Sequence, residues 1–221
     1  MTSFALITEG ITDQAILENL LDGLTYGAAT TKALRPLRDE TDMNRVTKGE
    51  FSNWELVLEF VKSEEILDAI QTSDFIVIQI DTDECDHQNF GVSLHKQGKM
   101  KSIEEIVTEC INKIKSILHK DFPKTEMNRL LFAIPVLSSE CWLIGLHDTN
   151  HIHTEKTSIG CDLRLSNLLM KKNRKISKEY LAYSNLSAGF RKEKIVNAAS
   201  TKISCLKFFI DQTRRQLAVE F

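Results

Sequence analysis

The feature that most restricts the fold is a six-residue run, Phe75-Ile-Val-Ile-Gln-Ile80, that ends directly in Asp81-Thr-Asp83-Glu84-Cys85-Asp86. All but Gln79 are apolar. A strand with one wet face alternates polar and apolar residues, whereas a continuous apolar run fits a strand covered on both faces. Such strands sit in the middle of parallel sheets with helices above and below. A chain of 221 residues, 42% hydrophobic and 27% charged, can bury that kind of core without staples.

Phe4-Ala-Leu-Ile-Thr8 reads as a second buried strand, followed by a Glu9-Gly10 turn. Ala15, Ile16, Leu17, Leu20, Leu21 and Leu24 then recur at helical spacing. Thr12 is a candidate cap for that helix, and Asp13 falls in its first turn, where the helix dipole favours a carboxylate. Tyr26 to Thr31 reads as a loop. Leu34 to Arg38 reads as a short strand that Pro36 confines to an edge or leaves irregular. Helical spacing returns at Trp54 to Val61, at Ile66 to Ile70 and at Ile103 to Leu118. His87 to Lys101 reads as a polar loop, and Leu130 to Leu137 as a further strand with Ser138-Ser139-Glu140 behind it. This alternation predicts an α/β fold: a central, mostly parallel sheet flanked by helices over residues 1–146, with right-handed crossovers. From 147 to 221 the pattern turns helical and more basic, so a helical C-terminal extension packed on that domain is expected. Its predicted helices cover Asp162 to Lys172, Ser177 to Tyr183, and Phe190 to Val219 as one helix or two.

In open parallel sheets the working crevice lies beyond the carboxyl ends of the strands. Glu9 follows the first predicted strand, Asp81 and Asp83 the third, and Glu140 the fourth. Parallel strands bring these groups to one edge, with Asp13 one helical turn beyond Glu9. Carboxylates gathered there repel one another unless a cation joins them. Mg²⁺, or Mn²⁺ in its place, takes hard oxygen ligands and keeps several waters. The expected metal ligands are therefore Glu9, Asp13, Asp81, Asp83 and Glu140. Each piece alone has an ordinary explanation: a solvated Asp-x-Asp turn, a Gly turn before a dipole-compensating Asp, a Glu after a strand. Their order and their equivalent places at strand ends carry the inference. A phosphatase using Asp81 as nucleophile is a rival that leaves Glu9-Gly10 unexplained.

The segments Leu6-Ile-Thr-Glu9-Gly10-Ile-Thr-Asp13 and Ile78-Gln-Ile-Asp81-Thr-Asp83 resemble the TOPRIM (topoisomerase–primase) domain. The form they resemble is that of small TOPRIM proteins and overcoming-lysogenisation-defect nucleases of bacterial anti-phage defence. Pro135-Val-Leu-Ser-Ser-Glu140-Cys-Trp142-Leu143 is similar to the Glu-x-Trp-Leu segment of those proteins. The resemblance covers residues 4–146. It implies a Mg²⁺-dependent endonuclease, a hydrolase of phosphodiester bonds in DNA or RNA, transfer RNA included. On that resemblance Glu9 is ligand or general base, Asp81 and Asp83 are the catalytic acids that hold metal, Asp13 is a further ligand and Glu140 completes the site. Glu84 and Asp86 are additional acids with no assigned role. The resemblance also implies a toxic effector working with an ATPase partner; the chain has no Gly-x-x-x-x-Gly-Lys-[Ser/Thr] loop, so it is not expected to hydrolyse ATP through a P-loop itself. The alternative is a non-catalytic TOPRIM-like interaction subunit of a defence complex.

A net charge of −3 gives no general support for nucleic-acid binding, so any such surface is local. Lys171, Lys172, Arg174 and Lys175 form the densest basic run; with Lys192 and Lys194, and with Arg164, Lys178 and Arg191, they are candidates for phosphate contacts. A solvated basic loop explains the run equally well. Lys192 and Lys194 are also candidates for stabilising a transition state. His147, His151, His153 and Cys161 have spacings a zinc ion accepts but lack a paired-ligand motif, which favours a polar loop. Cys85 as a nucleophile is disfavoured by the carboxylates beside it. Tyr180 and Tyr183 fit base stacking or core packing. Phe208, Phe209, Ile210, Leu217 and Val219 fit core packing or a homo-oligomer interface. Five scattered cysteines with no C-x-x-C pair read as free thiols in a reducing compartment. With no signal-peptide pattern and no membrane-length apolar run, a cytoplasmic protein is expected.

Overall fold

The computed structural model describes residues 1–38, 53–148, 160–171 and 177–218. Strand β1 (Thr2–Ile7) leads into helix α1 (Ile11–Leu24), and β2 (Ala29–Arg35) follows. Helices α2 (Asn53–Lys62) and α3 (Glu65–Thr72) precede β3 (Phe75–Gln79). A hairpin of β4 (His95–Lys96) and β5 (Lys99–Met100) comes next, then α4 (Ile103–Ile117) and β6 (Leu130–Ala133). The C-terminal part is helical: α5 (Glu140–His147), α6 (Cys161–Met170), α7 (Tyr180–Ser187), a 3-10 turn (Ala188–Arg191), α8 (Glu193–Ser200) and α9 (Ser204–Leu217). The architecture is α/β.

β1, β2, β3 and β6 form one sheet in the order β2-β1-β3-β6, with every pair parallel. β3 lies between β1 and β6, and all five of its residues are buried, as its apolar run requires. β2 sits at the edge, with partly exposed residues along its length. Pro36 follows it directly, where no ladder partner needs the missing N–H. Because the strands are parallel, their carboxyl ends share one side of the sheet. The C-terminal helices are not a loose tail: α1 packs against α7, the 188–191 turn and α8. Buried Asn19 on α1 donates to the Ser184 carbonyl at 2.8 Å and to Ser187 Oγ at 2.6 Å, and accepts from Arg191 Nε at 2.6 Å. Gly23 is needed here, because a Cβ would lie 2.0 Å from the Phe190 carbonyl oxygen.

Several expectations are corrected. α1 starts at Ile11 with Gly10 as its N-cap, so Thr12 lies inside the helix. The Tyr26–Thr31 segment is a loop only to Ala28, since the edge strand needs neither a continuous apolar run nor burial on both faces. The 87–101 segment is not simply polar: Phe90, Val92 and Leu94 are buried and a short hairpin closes it. The 130–137 strand stops at Ala133. Leu137 beyond it adopts φ 72°, a left-handed conformation that no strand carries. The cysteines are not all free thiols. Cys141 and Cys161 form a disulfide, while Cys85, Cys110 and Cys205 are buried and stand outside it. Phe209 and Ile210 belong to the core, and Phe208 is partly exposed. Val219 lies outside the described residues. No helix among those residues is long and apolar enough to cross a membrane.

Candidate functional site

Glu9, Asp13, Asp81, Asp83 and Glu140 line one cleft of about 490 Å³ at the carboxyl edge of the sheet. The strand register explains the convergence. β1 and β3 are paired through Ile7 and Ile78, so Glu9 and Asp81 leave adjacent strands at nearly the same height. The loop after β3 is tied to the loop after β6: the Thr82 and Asp83 N–H groups both donate to the Leu137 carbonyl at 3.2 Å. Leu137 N–H in turn donates to Thr82 Oγ1 at 2.8 Å. That clasp sets Asp83 beside Ser139 and Glu140, and it supplies the contacts that hold Leu137 in its strained backbone state.

A closed ring of hydrogen bonds fixes the first two acids. Glu9 N–H donates to Gln79 Oε1 at 3.0 Å, Gln79 Nε2 donates to Asp81 Oδ1 at 2.7 Å, and Asp81 N–H donates to Glu9 Oε1 at 2.7 Å. Gln79 is buried within an apolar strand, and this ring satisfies both ends of its amide. Tyr183 O–H donates to Glu140 Oε1 at 2.7 Å. Among the described residues, the second oxygens of Glu9, Asp81 and Glu140 receive no hydrogen bond. Each of these carboxylates is therefore held by one oxygen and open at the other.

Asp13 is placed differently. Its Oδ2 accepts from Gly10 N–H at 3.0 Å and its Oδ1 from Ser139 Oγ at 2.6 Å. With both oxygens engaged and only 6% of its surface exposed, it braces the Glu9-Gly10 turn against the start of α5. The glycine has a local reason too. Its φ of −140° is open to any residue, but a Cβ would lie 3.2 Å from the Asp13 carboxylate.

The electrostatics follow from burial and crowding. Burial, then the Asp13 charge, pushes Glu9 up to about 8, against the pull of the Asp81 N–H. Burial pushes Asp13 up to about 6, although the Ser139 hydroxyl opposes it. Burial, then the charges of Asp13, Glu9 and Glu140, push Asp81 well above its ordinary value. Asp83 is raised by burial and by Glu84. Burial and the Glu140 charge push the Tyr183 phenol up, so it remains the donor in its bond to Glu140. The only cationic side chain in the cleft wall among the described residues is Lys178.

Comparison with protein-family models, with curated proteins and with solved structures finds no match.

The donor set can be tested against a metal. No three His, Cys, Asp or Glu side chains among the described residues converge as a ready-made ion cage. What the cleft offers is oxygen donors only, in excess of positive charge, with raised pKa values that a cation would reverse. This chemistry fits a hard divalent ion that keeps part of its water shell, as Mg²⁺ does. It fits zinc less well, because zinc sites generally include nitrogen or sulfur ligands beside any carboxylate. Of the zinc candidates, Cys161 is in the disulfide, His147 Nε2 lies 2.8 Å from the Leu186 carbonyl, and His151 and His153 lie outside the described residues.

Among the basic candidates, Lys171, Lys192 and Lys194 are exposed and do not line the cleft, whereas Lys178 does. Lys172, Arg174 and Lys175 lie outside the described residues. Tyr180 is occupied within the fold: its hydroxyl bonds Glu18, and Arg38 lies 4.5 Å above its ring. Sequence reasoning missed Gln79, Ser139 and Tyr183 as members of the site. Gln79 alone left a trace, as the one polar residue of its run.

Proposed function

We propose that this chain is a divalent-cation-dependent endonuclease that hydrolyses phosphodiester bonds in nucleic acid. The observation that carries this reading is the set of half-engaged carboxylates. Glu9, Asp81 and Glu140, from three separate segments, each anchor one oxygen and leave the other open in a single cleft. In a purely structural cluster, cationic partners or further hydrogen bonds would satisfy both oxygens. Glu9, Asp81, Asp83 and Glu140 would hold the cation, and Asp13 would fix the turn that presents Glu9. When bound, a divalent ion supplies charge neutralisation at a phosphoryl group and lowers the pKa of a coordinated water. The chain's own part is to keep these oxygens fixed before substrate arrives, so that little rearrangement is needed at the moment of reaction. Gln79 and the Asp81 N–H do this for Glu9 and Asp81, and Tyr183 does it for Glu140.

The motif resemblance to TOPRIM nucleases supports the same reading. It extends it to a toxic effector of anti-phage defence, acting in the cytoplasm beside an ATPase partner. The test is cleavage of plasmid DNA and of total RNA by the purified protein, alone and with that partner, in Mg²⁺ or Mn²⁺. Glu9→Ala and Asp81→Ala are each expected to abolish cleavage. Cleavage unchanged in both variants overturns the assigned site, whereas inactivity of the wild-type protein with and without the partner favours a non-catalytic interaction subunit.

A further inference from the structure

Arg35 ends the edge strand β2, and its surroundings are unlike those of a structural arginine. Its carbonyl accepts from Thr8 N–H at 2.9 Å and from Thr8 Oγ1 at 3.1 Å, so its backbone is locked one residue from Glu9. Its side chain is poorly matched. Among the described residues the buried Nε has no hydrogen-bond partner, and Nη2 makes a single long contact of 3.4 Å to the Asn53 carbonyl. A guanidinium carries donors in a fixed fork that fits phosphate, and a buried unpaired donor is costly. Among the described residues no carboxylate pairs with this fork. Glu9 is the carboxylate whose field reaches it, yet the two form no ion pair.

Beside Arg35 lies a cavity of about 500 Å³, separate from the acidic cleft. Its volume is that of a small-ligand site. Leu34, Pro36, Leu37 and Phe60 give it apolar walls. Leu37 is 77% exposed, a large apolar side chain without cover. The two acids in the lining, Glu59 and Glu65, are exposed, and Glu59 pairs with Lys62 at 2.7 Å. They oppose a phosphate entering the cavity but not an uncharged ring. Asn53, which touches Arg35, also lines the acidic cleft, so the two spaces adjoin.

We propose that Arg35 and this cavity hold one unpaired nucleotide of a single-stranded nucleic acid, with phosphate on the guanidinium and base between Leu34, Pro36 and Phe60. The adjacent phosphodiester then lies over the carboxylates, and in that clause the inference rests on the nuclease reading. A duplex cannot use the cavity, because its bases are stacked and paired until they are extruded. The substrate class is thus a single strand or an unpaired stretch.

The test is equilibrium binding by fluorescence anisotropy in Ca²⁺, using labelled single-stranded DNA, single-stranded RNA and a duplex of the same sequence. A free mononucleotide serves as competitor. The single strand is expected to bind roughly tenfold or more tightly than the duplex, and the DNA and RNA arms identify which sugar is preferred. Arg35→Ala is expected to weaken single-strand binding roughly tenfold and to lower the salt dependence by about one counterion. Arg35→Lys, which keeps the charge but not the fork, falls between. Leu37→Asp sits on the surface, so it tests the cavity without threatening the fold, and it too weakens binding. Competition by the mononucleotide supports the cavity as a nucleotide site; wild-type affinity in both Arg35→Ala and Leu37→Asp, or equal affinity for duplex, overturns the inference. Asp81→Ala separates it from the nuclease reading. Cleavage lost in Asp81→Ala with binding indifferent to Arg35 sinks only the nucleotide subsite. Arg35-dependent binding with no Asp81-dependent cleavage sinks only the nuclease.

Discussion

Strand β3 has an aspartate at each end, and the two live in opposite worlds. Asp74, just before the strand, accepts from Ser3 N–H and Ser3 Oγ, both at 2.7 Å. Arg129 backs it, donating to the carbonyls of Asp74, Ile70 and Ser73. Those hydrogen bonds, from the Ser3 backbone first, hold the Asp74 carboxyl below its ordinary value. Asp81, just past the other end, is pushed the other way by burial and by its fellow acids. One residue type on one strand therefore serves two purposes. Where an acid is partnered, it closes the sheet; where acids are crowded and left half-open, the fold tolerates a cost that, on the proposed reading, a bound cation would relieve.

The sharpest way to break this contrast is activity. Asp81→Ala is expected to lower nuclease turnover on the order of a hundredfold to a thousandfold, as losing a main electrostatic contact does. Asp74→Ala should leave turnover within about twofold in the same plasmid assay. Next in size is cation linkage. At about a hundred times its dissociation constant, Mg²⁺ or Mn²⁺ is expected to add about 2.7 kcal/mol of stability. That shift, read by thermal melting, should persist in Asp74→Ala and vanish in Asp81→Ala.

Acidity gives the third test. Glu9 titrates near 8 in the folded chain against an ordinary 4.5, and Asp13 near 6 against 3.8. Between those values the folded chain keeps protons that the unfolded chain has released, so stability falls as pH rises from about 5 to 8. Melting in EDTA should follow that slope, and Glu9→Gln should flatten it while raising the midpoint at pH 8. Tyr183→Phe is expected to cost about 1–3 kcal/mol in chemical denaturation, because it strands a buried oxygen of Glu140. Asp74→Ala comes last, at about 1 kcal/mol in the same measurement, since its contacts are hydrogen bonds near the surface.

What the residues disclose unaided depends on how far each partner lies along the chain. The run before Asp81 announces a buried central strand because both of its faces are written in consecutive residues. The acids at strand ends follow from topology alone, since parallel strands have only one carboxyl side. Tyr183, by contrast, meets Glu140 across 43 positions, and Ser139 meets Asp13 across 126. No local pattern marks such pairs. The Cys141–Cys161 bridge was hidden for the same reason, as scattered cysteines carry no sign of which will meet. β2 begins five residues before the Leu34–Arg38 stretch that the sequence marks and stops at Arg35, because an edge strand, wet on one side, escapes the demand for continuous apolar residues.

The bare methylene of Gly23 has one more implication. Helix α1 grows straight out of the Glu9-Gly10 turn, and its far side is where the Phe190 carbonyl comes to rest, too near for any side chain. Helix α7, the 188–191 turn and α8 are thus the outer wall of the very helix that begins at the acidic cleft. A gene truncated after residue 147 is expected to encode only a sticky fragment with α1 laid bare.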